Sequence, residues 1–336
     1  MRILVLYNIA KDLKKGVETD LICEQEIAII VPLVAELLRL RGFQVDTLET
    51  TFNLWEELKR MKGNFDIVLN MAEAFGGGNS NETLVPAMLE ALQIPFTGAS
   101  SHNMQLTLDK EKSKLVAKVY GILVPPYQLF RRVDDSLSPH LSFPLIVKPI
   151  REEGSIGIYY DSVVENEDEL RQKVLDTILR YKQPALVEQF IFGREISVGV
   201  IGNYGNLHVF PPLEFLFEGM NSDLEKIRSY EYKWGGKKEQ MVRADLSNAI
   251  VEALIRYSEV AFIATECRDY ARFDYRLADD GRIYLLDINY NPGIGPNTHG
   301  LNNTLTMMAS FDGYTFEDLV ERIVRIAIQR EGLQNS

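Results

Sequence analysis

The residues with the clearest chemical potential lie between Arg272 and Gly293, in the stretch RFDYRLADDGRIYLLDINYNPG. Two alternating runs, Arg272 to Leu277 and Ile283 to Ile288, flank the polar segment Asp279-Asp280-Gly281-Arg282, the pattern of a β-hairpin. Side chains two apart on a strand share a face. Arg272 and Asp274 therefore point one way, with Phe273 and Tyr275 behind them, and on the return strand Asp287 and Asn289 share a face. A turn centred between Asp280 and Gly281 sets Asp274 opposite Asp287 and Arg272 opposite Asn289. Two carboxylates directly opposed on a sheet repel and destabilise it; a cation between them reverses the sign. Two Asp carboxylates and an Asn carbonyl are hard oxygen donors of the kind Mg²⁺ takes together with water and phosphate oxygens. The alternative is a solvated polar face on an edge hairpin, since exposed Asp is ordinary.

A second group could hold phosphate. Phe143 to Pro149 reads as a strand that ends in Lys148-Pro149, and Arg151-Glu-Glu-Gly154-Ser155-Ile-Gly157 follows it. Backbone amides of such a turn can cradle phosphate, and a lysine at the strand end can reach it. Pro184 to Ile201 reads as a strand, a hinge and a second strand, with Glu188 after the apolar Leu186-Val187 and Glu195 opening the next run. Thr107 to Lys118 opens a basic helix whose Lys110, Lys112, Lys114 and Lys118 are expected at the surface. Three glycines, Gly76 to Gly78, follow Asn70-Met-Ala-Glu73 just after a strand, at the sheet edge where α/β proteins bind ligands or as a plain connection.

These groups need a scaffold, and the pattern around them supplies one. Strands are predicted at 2–7, 43–48, 65–70 and 95–98, alternating with helices at 24–41, 54–61 and 82–92. That rhythm implies a parallel sheet covered by helices. No Gly-x-Gly-x-x-Gly follows the first strand, which weakens a dinucleotide reading. Helices are also expected at 165–180, 246–262 and 316–331, whereas 217–239 is long, polar and poorly periodic, the character of a functional lid or a disordered segment. At 336 residues the chain suggests two or three domains, and 46% hydrophobic with 25% charged residues is the composition of a globular protein. A net charge of −12 argues against nucleic acid as a partner, although a few local lysines suffice for a nucleotide. Two cysteines, Cys23 and Cys267, without ligand spacing, the lack of a signal-peptide pattern and the lack of any membrane-length apolar run lead to the expectation of a cytoplasmic protein with no membrane partner.

Taken in order, these motifs resemble the ATP-grasp superfamily and, within it, the D-alanine–D-alanine ligase family, over nearly the whole chain. The most specific parts are Leu186-Val-Glu-Gln-Phe-Ile-Phe-Gly-Arg-Glu195, Arg272-Phe-Asp274 and Asp287-Ile-Asn289-Tyr-Asn-Pro-Gly293; Leu108 to Lys114 and Phe96-Thr-Gly98 resemble the family's domain junction. The resemblance implies a mixed α/β and α+β chain, an ATP-grasp fold behind a Rossmann-like parallel-sheet domain. Its expected units are residues 1–98, a central lobe 99–187 and a C-terminal lobe 188–336, with ATP between the last two. It further implies that Lys110, Lys148 and Ser155 hold ATP phosphates, that Glu188 meets the adenine amino group and Glu195 the ribose, and that Lys233 reaches the phosphates from the lid. Asp274, Asp287 and Asn289 would bind two Mg²⁺ ions, for which Mn²⁺ can substitute. Arg272 and the Gly293 amide would stabilise an oxyanion, and Glu24, or its neighbour Glu26, would receive the first substrate's amine. The implied chemistry is attack of a carboxylate on the γ-phosphate, then displacement of phosphate by an amine. The expected partners are a small amino-acid or peptide substrate and a second copy of the chain.

Several positions depart from the family pattern. Ala72-Glu73-Ala74 stands where the family has His-Gly, Gly154 where it has a serine, Trp234 where it has tyrosine, and Thr298-His299 where it has Ser-Leu. The half that would hold ATP is retained, and the half that would hold amino acids, with Glu73, Gly154, Trp234, Thr298 and His299, is rewritten. A carboxylate–amine ligase acting on something other than two D-alanines is therefore the first reading. A true D-alanine–D-alanine ligase and a nucleotide-binding protein without turnover are the alternatives.

Overall fold

The computed structural model describes residues 1–11, 15–17, 26–76, 80–220, 222–235, 239–297 and 303–333. Glu24, Thr298, His299 and Gly77–Asn79 fall outside them. Among the described residues the strands form three sheets in succession along the chain. No helix among them is long and apolar enough to cross a membrane.

The first sheet is parallel, with β1 (Arg2–Tyr7) between β2 (Gln44–Glu49) and β3 (Ile67–Met71). The middle of its central strand is apolar because helices cover both faces: Ile3, Leu4, Val5 and Leu6 are all buried. Helix α1 (Ile27–Leu40) covers one face with Val31, Val34 and Leu38, and α2 (Leu54–Met61) covers the other with Leu54 and Leu58. After α3 (Leu84–Ala91) the strand expected at 95–98 is reduced to one bridge, Phe96 beside Val68. Proline 95 has no amide hydrogen to donate, and the Gly98 amide is taken by Asp269 Oδ2 at 2.8 Å instead.

The helix expected to open at Thr107 is two helices, α4 (Ser101–Leu108) and α5 (Lys110–Val119), with Asp109 extended between them. The Asp109 carboxylate accepts from Lys112 N at 3.2 Å as an N-cap and from Arg151 Nη2 at 2.7 Å. Its side chain thus ends one helix, starts the next and ties both to the turn after the second sheet.

The second sheet is antiparallel, in the order β4 (Tyr127–Phe130), β7 (Ala185–Gln189), β5 (Leu145–Pro149), β6 (Val163–Val164). Helix α6 (Glu167–Tyr181) packs on it through Leu170 and Val174, with Asn166 capping its acidic first turn. The third sheet runs β11 (Gln240–Arg243), β10 (Leu213–Leu216), β8 (Arg194–Asn203), β12 (Asp269–Leu277), β13 (Ile283–Tyr290), with β9 (Asn206–Val209) also on β8. Helix α8 (Asn248–Ala264) lies against it through Leu254, Ala261 and Phe262. Helices α9 (Thr304–Ser310) and α10 (Phe316–Arg330) share a continuous core with α1 and β1, so the first and third sheets are joined by packed apolar side chains.

The β12–β13 ladder has the expected register at its functional end: Arg272 pairs with Asn289 and Asp274 with Asp287. The turn was expected to be centred half a residue further along. Leu277 pairs with Ile283, so five residues rather than four are enclosed, and a bulge after Asp274 leaves Leu286 as the extra residue and restores the register. The bulge carbonyl does not go unpaired, because Lys114 Nζ donates to Leu286 O at 2.6 Å.

The segment 217–239, expected to lack regular structure, carries a 3₁₀ turn (Asp223–Glu225) and the short helix α7 (Tyr230–Trp234). Side chains rather than a periodic apolar face hold it: Ser229 accepts from Tyr232 N at 3.1 Å, and Arg228 pairs with the buried Glu239 at 2.6 Å.

Candidate active site between the second and third sheets

Lys148 stands at the end of β5 and Glu188 near the end of β7, next to each other in the second sheet. Lys148 Nζ lies 2.5 Å from Glu188 Oε2. Lys114, from α5, comes within 2.9 Å of Oε1, close enough for an ion pair although no well-aligned hydrogen bond forms at that oxygen. Burial would push the Glu188 carboxyl up, but the two lysines outweigh it and hold it below the usual range. Burial also pushes the Lys114 ammonium down to about 8, with Glu188 opposing. The expectation of surface lysines is thus corrected for Lys110 and Lys114, which are 2% and 1% exposed. A lysine goes inside only when its charge is paired, and both partners come from distant strands.

Lys110 Nζ lies 2.6 Å from Asp287 Oδ2 across the cleft. Asp274, opposite Asp287 on the ladder, accepts from Arg272 Nε and Nη2 at 3.0 and 2.9 Å, from Ser197 Oγ at 2.5 Å and from Asn289 Nδ2 at 2.8 Å. Burial acts to raise its carboxyl, and Arg272 and these bonds hold it below the ordinary value. Glu195, at the start of β8, faces Arg276 at 3.3 Å, and burial pushes its carboxyl up in spite of that arginine.

Apart from Lys114 and Ser197, these side chains line one cavity of about 110 Å³ between the second and third sheets. Lys110, Lys148, Gly154, Ser155, Glu188, Glu195, Lys233, Arg272, Asp274, Asp287 and Asn289 converge there, with Ile146, Phe190 and Ile191 forming apolar wall. The donor set suits Mg²⁺. Two opposed carboxylates and an amide that presents its carbonyl on a half-turn supply hard oxygens on one face. Among the described residues no three His, Cys, Asp or Glu side chains group into a metal site on their own. An ion here would need phosphate oxygens to complete its shell.

A second cavity, of about 150 Å³, adjoins the first. Glu26, Glu73, Gly154, Trp234 and the Gly293 backbone line it, and Arg272, Asn289, Lys233 and Gly154 belong to both. Arg272 and Asn289 therefore stand on the boundary, reachable from both cavities. Glu24, Thr298 and His299 lie outside the described residues, so their expected roles are neither met nor contradicted.

Sequence reasoning missed Lys114, Glu82, Glu153 and Tyr290 as site residues. Glu82 and Glu153 approach each other across the second cavity. Burial first, then Glu152 and Glu73, push Glu82 up to about 7 against Lys15 and Tyr290, and Glu153 is raised well above the ordinary carboxyl by burial and by Glu82. Nothing in their local sequence sets these glutamates apart from surface ones.

A family model described as the D-ala D-ala ligase C-terminus matches residues 116–325. The chain is 34% identical over 266 residues to an uncharacterised protein, y4sG, of Sinorhizobium fredii, covering 79% of this chain and 75% of that protein. It is 30% identical over 264 residues to the D-alanine–D-alanine ligase of Geobacter sulfurreducens, covering 76% and 77%. The crystal structure of the D-alanine–D-alanine ligase from Bacillus anthracis complexed with ATP superposes with a TM-score of 0.75 over 99% of both chains, at 20% identity.

Proposed function

The chain belongs to the D-alanine–D-alanine ligase family of ATP-dependent C–N ligases, with the ATP-grasp fold, and on that premise we propose how its residues divide the work. ATP occupies the cavity between the second and third sheets. Its base lies against Ile146, Phe190 and Ile191, and its phosphates meet Lys110, Lys148, the Gly154–Ser155 turn and Lys233. Glu188 and Glu195 take the adenine and ribose sides. Asp274, Asp287 and Asn289 are the Mg²⁺ ligands; the ion supplies neutralisation of phosphate charge when bound. Lys110 then turns from Asp287 toward phosphate. The same reading divides the chain into units 1–98, 99–187 and 188–336, the second boundary falling within β7 (Ala185–Gln189).

The substrates are an amino acid or small peptide and a second amine. The carboxylate of the first sits at the boundary of the two cavities and attacks the γ-phosphorus; the bond from that phosphorus to the β,γ-bridging oxygen breaks, ADP is the leaving group, and an acyl phosphate results. The neutral amine of the second attacks the acyl carbon, the C–O bond to phosphate breaks, and phosphate departs. Arg272 and the Gly293 amide stabilise the oxyanion formed between these events. The observation that carries this reading is the position of Arg272: a nucleotide-binding module has no use for an arginine shared between a phosphate-holding cavity and a second, substrate-sized one. A homodimer belongs to the same reading and is supported by exposed apolar side chains along and beyond α5, Leu115, Val119, Tyr120 and Leu123.

The test is phosphate release from MgATP against a panel of D- and L-amino acids and dipeptides, with product mass. Amino-acid-dependent release with a matching amide product is expected. ATP binding with no release for any panel member would favour the nucleotide-binding alternative.

A further inference from the structure

Resting on the ligase reading above, we propose that one substrate is a diamino acid, whose side-chain ammonium is held in the second cavity by Glu82, Glu153 and Tyr290. The argument begins with charge. Among the described residues five basic side chains line that cavity, and four are committed to carboxylates: Arg151 to Asp109 at 2.7 Å, Arg228 to Glu239 at 2.6 Å, Arg272 to Asp274 at 2.9 Å and Lys15 to Glu152 at 2.5 Å. The fifth, Lys233, acts on Glu26 and Glu73. Glu82 and Glu153 have no ion pair with any described residue. The lysines within electrostatic reach of them, Lys15 and Lys110, are engaged by Glu152 and Asp287.

Two ordinary α-amino acids do not balance this surplus. The attacking amine must be neutral, so the pair brings at most one lasting ammonium. The side-chain ammonium of a diamino acid supplies a further cation, and the walls supply acceptors of the right number. An ammonium has three donors. Glu82 and Glu153 offer two carboxylates, and the phenol of Tyr290 offers the third oxygen. Tyr290 is only 4% exposed, lines the same cavity, and its hydroxyl makes no well-formed hydrogen bond although Glu82 is beside it. A buried hydroxyl without a partner is costly, and a ligand donor satisfies it. Burial raises both carboxyls above the ordinary range, and a bound ammonium favours their ionised form. Space is adequate as well, since the cavity shares Glu26, Ala72 and Glu73 with an apolar recess of about 60 Å³ walled by Ile27, Ile30 and Met71.

The experiment compares ornithine and lysine with their neutral isosteres norleucine and 2-aminoheptanoic acid, each in both configurations. One readout is phosphate release with MgATP. The other is calorimetric binding in the presence of Mg²⁺ and a non-hydrolysable ATP analogue. A preference for one diamino acid of about tenfold or more is expected, the effect of one well-placed charge pair. The double variant E82Q/E153Q should reduce that preference to about threefold or less, and Tyr290→Phe should reduce it in part. Equal handling of the diamino acid and its isostere by the wild type overturns the proposal, as does a preference that survives in E82Q/E153Q. Turnover of neutral amino acids without a diamino preference leaves the ligase reading standing and removes this one. Selective diamino-acid binding without turnover does the reverse.

Discussion

Trp234 Nε1 donates to the backbone carbonyl of Gly154 at 3.2 Å, joining the short helix α7 to the turn that follows β5. Two further bonds tie the same pieces together: Ser155 Oγ donates to Arg228 O at 2.8 Å and Tyr230 N to Ile158 O at 2.6 Å. Gly154 and Ser155 both have left-handed backbone, at φ 64° and 67°. A Cβ on Gly154 would meet only Lys233 Nζ at 3.9 Å, so the glycine answers the backbone conformation rather than a lack of room. Arg228, Tyr230 and Trp234 thus hold the described part of segment 217–239 to the turn after β5 by hydrogen bonds of ordinary strength, and such contacts can open.

Replacing Trp234 by Phe should loosen that closure. The substitution keeps an aromatic ring and removes one donor, leaving the Gly154 carbonyl without it, a loss of about 1 kcal/mol. With a non-hydrolysable ATP analogue bound, the wild-type segment should resist protease, and W234F should be cut several-fold faster. Equal cleavage of the wild type with and without nucleotide would show that the segment is no lid.

Lys114→Met should be strongly destabilising although sequence alone placed Lys114 on the surface. The substitution removes one of the two cations on Glu188 and the donor to the bulge carbonyl of Leu286. Breaking a buried pair of this kind costs about 3–5 kcal/mol. Urea unfolding checks the figure. A change below about 1 kcal/mol would mean that Lys148 alone satisfies Glu188.

The hairpin that carries Asp274 and Asp287 was legible because period-two alternation fixes faces, and opposed acids are conspicuous on one face. The turn length was not, since a bulge adds a residue without disturbing the alternation at either end. Lys110 and Lys114 were misplaced for a different reason. Burial of a lysine depends on partners 177 and 172 residues away, Asp287 for Lys110 and Leu286 for Lys114. Asp269 is a similar case. It is fully buried, and it accepts from the Gly98 amide and from Arg330, joining the first sheet to the third. Its neighbours in sequence give no sign of that. The broken helix at Asp109 needed Arg151, and the surplus of acid in the second cavity needed Glu82 and Glu153 brought together by folding. Local pattern therefore located the strand-borne groups, and pairing at a distance hid the rest.

Asp287→Asn should lower kcat by about 10²-fold or more and raise the Mg²⁺ concentration needed for half activity. The amide keeps the size of the carboxylate but removes a charge opposite Asp274 and the partner of Lys110. Mg²⁺ titration of phosphate release is the measurement. A variant with wild-type turnover and Mg²⁺ dependence would take Asp287 out of the ligand set.

The last prediction concerns pH. Glu82 is raised from the ordinary 4.5 to about 7, by burial first and then by Glu152 and Glu73, while Lys15 and the Tyr290 hydroxyl oppose; Glu153 faces it and titrates with it. A carboxyl with a raised folded pKa binds protons that the unfolded chain has released. Its contribution therefore favours the folded state below the ordinary carboxyl pKa and is lost as pH rises through about 7. In thermal melts of the free protein, Glu82→Gln should match the wild type near pH 5 and gain on it toward pH 8. Binding of a cationic side chain has the opposite sign, because it favours the ionised pair and expels the proton. The affinity for ornithine or lysine should therefore climb as pH rises through 7 and level off above it, with a proton released to the buffer in calorimetry. The isosteres norleucine and 2-aminoheptanoic acid should show no such climb. The attacking amine's own deprotonation affects turnover at higher pH, but it is common to the diamino acid and its isostere and cancels in their ratio. Glu82→Gln should flatten the ratio across the range. A ratio already flat in the wild type would mean that the Glu82–Glu153 pair does not meet the substrate.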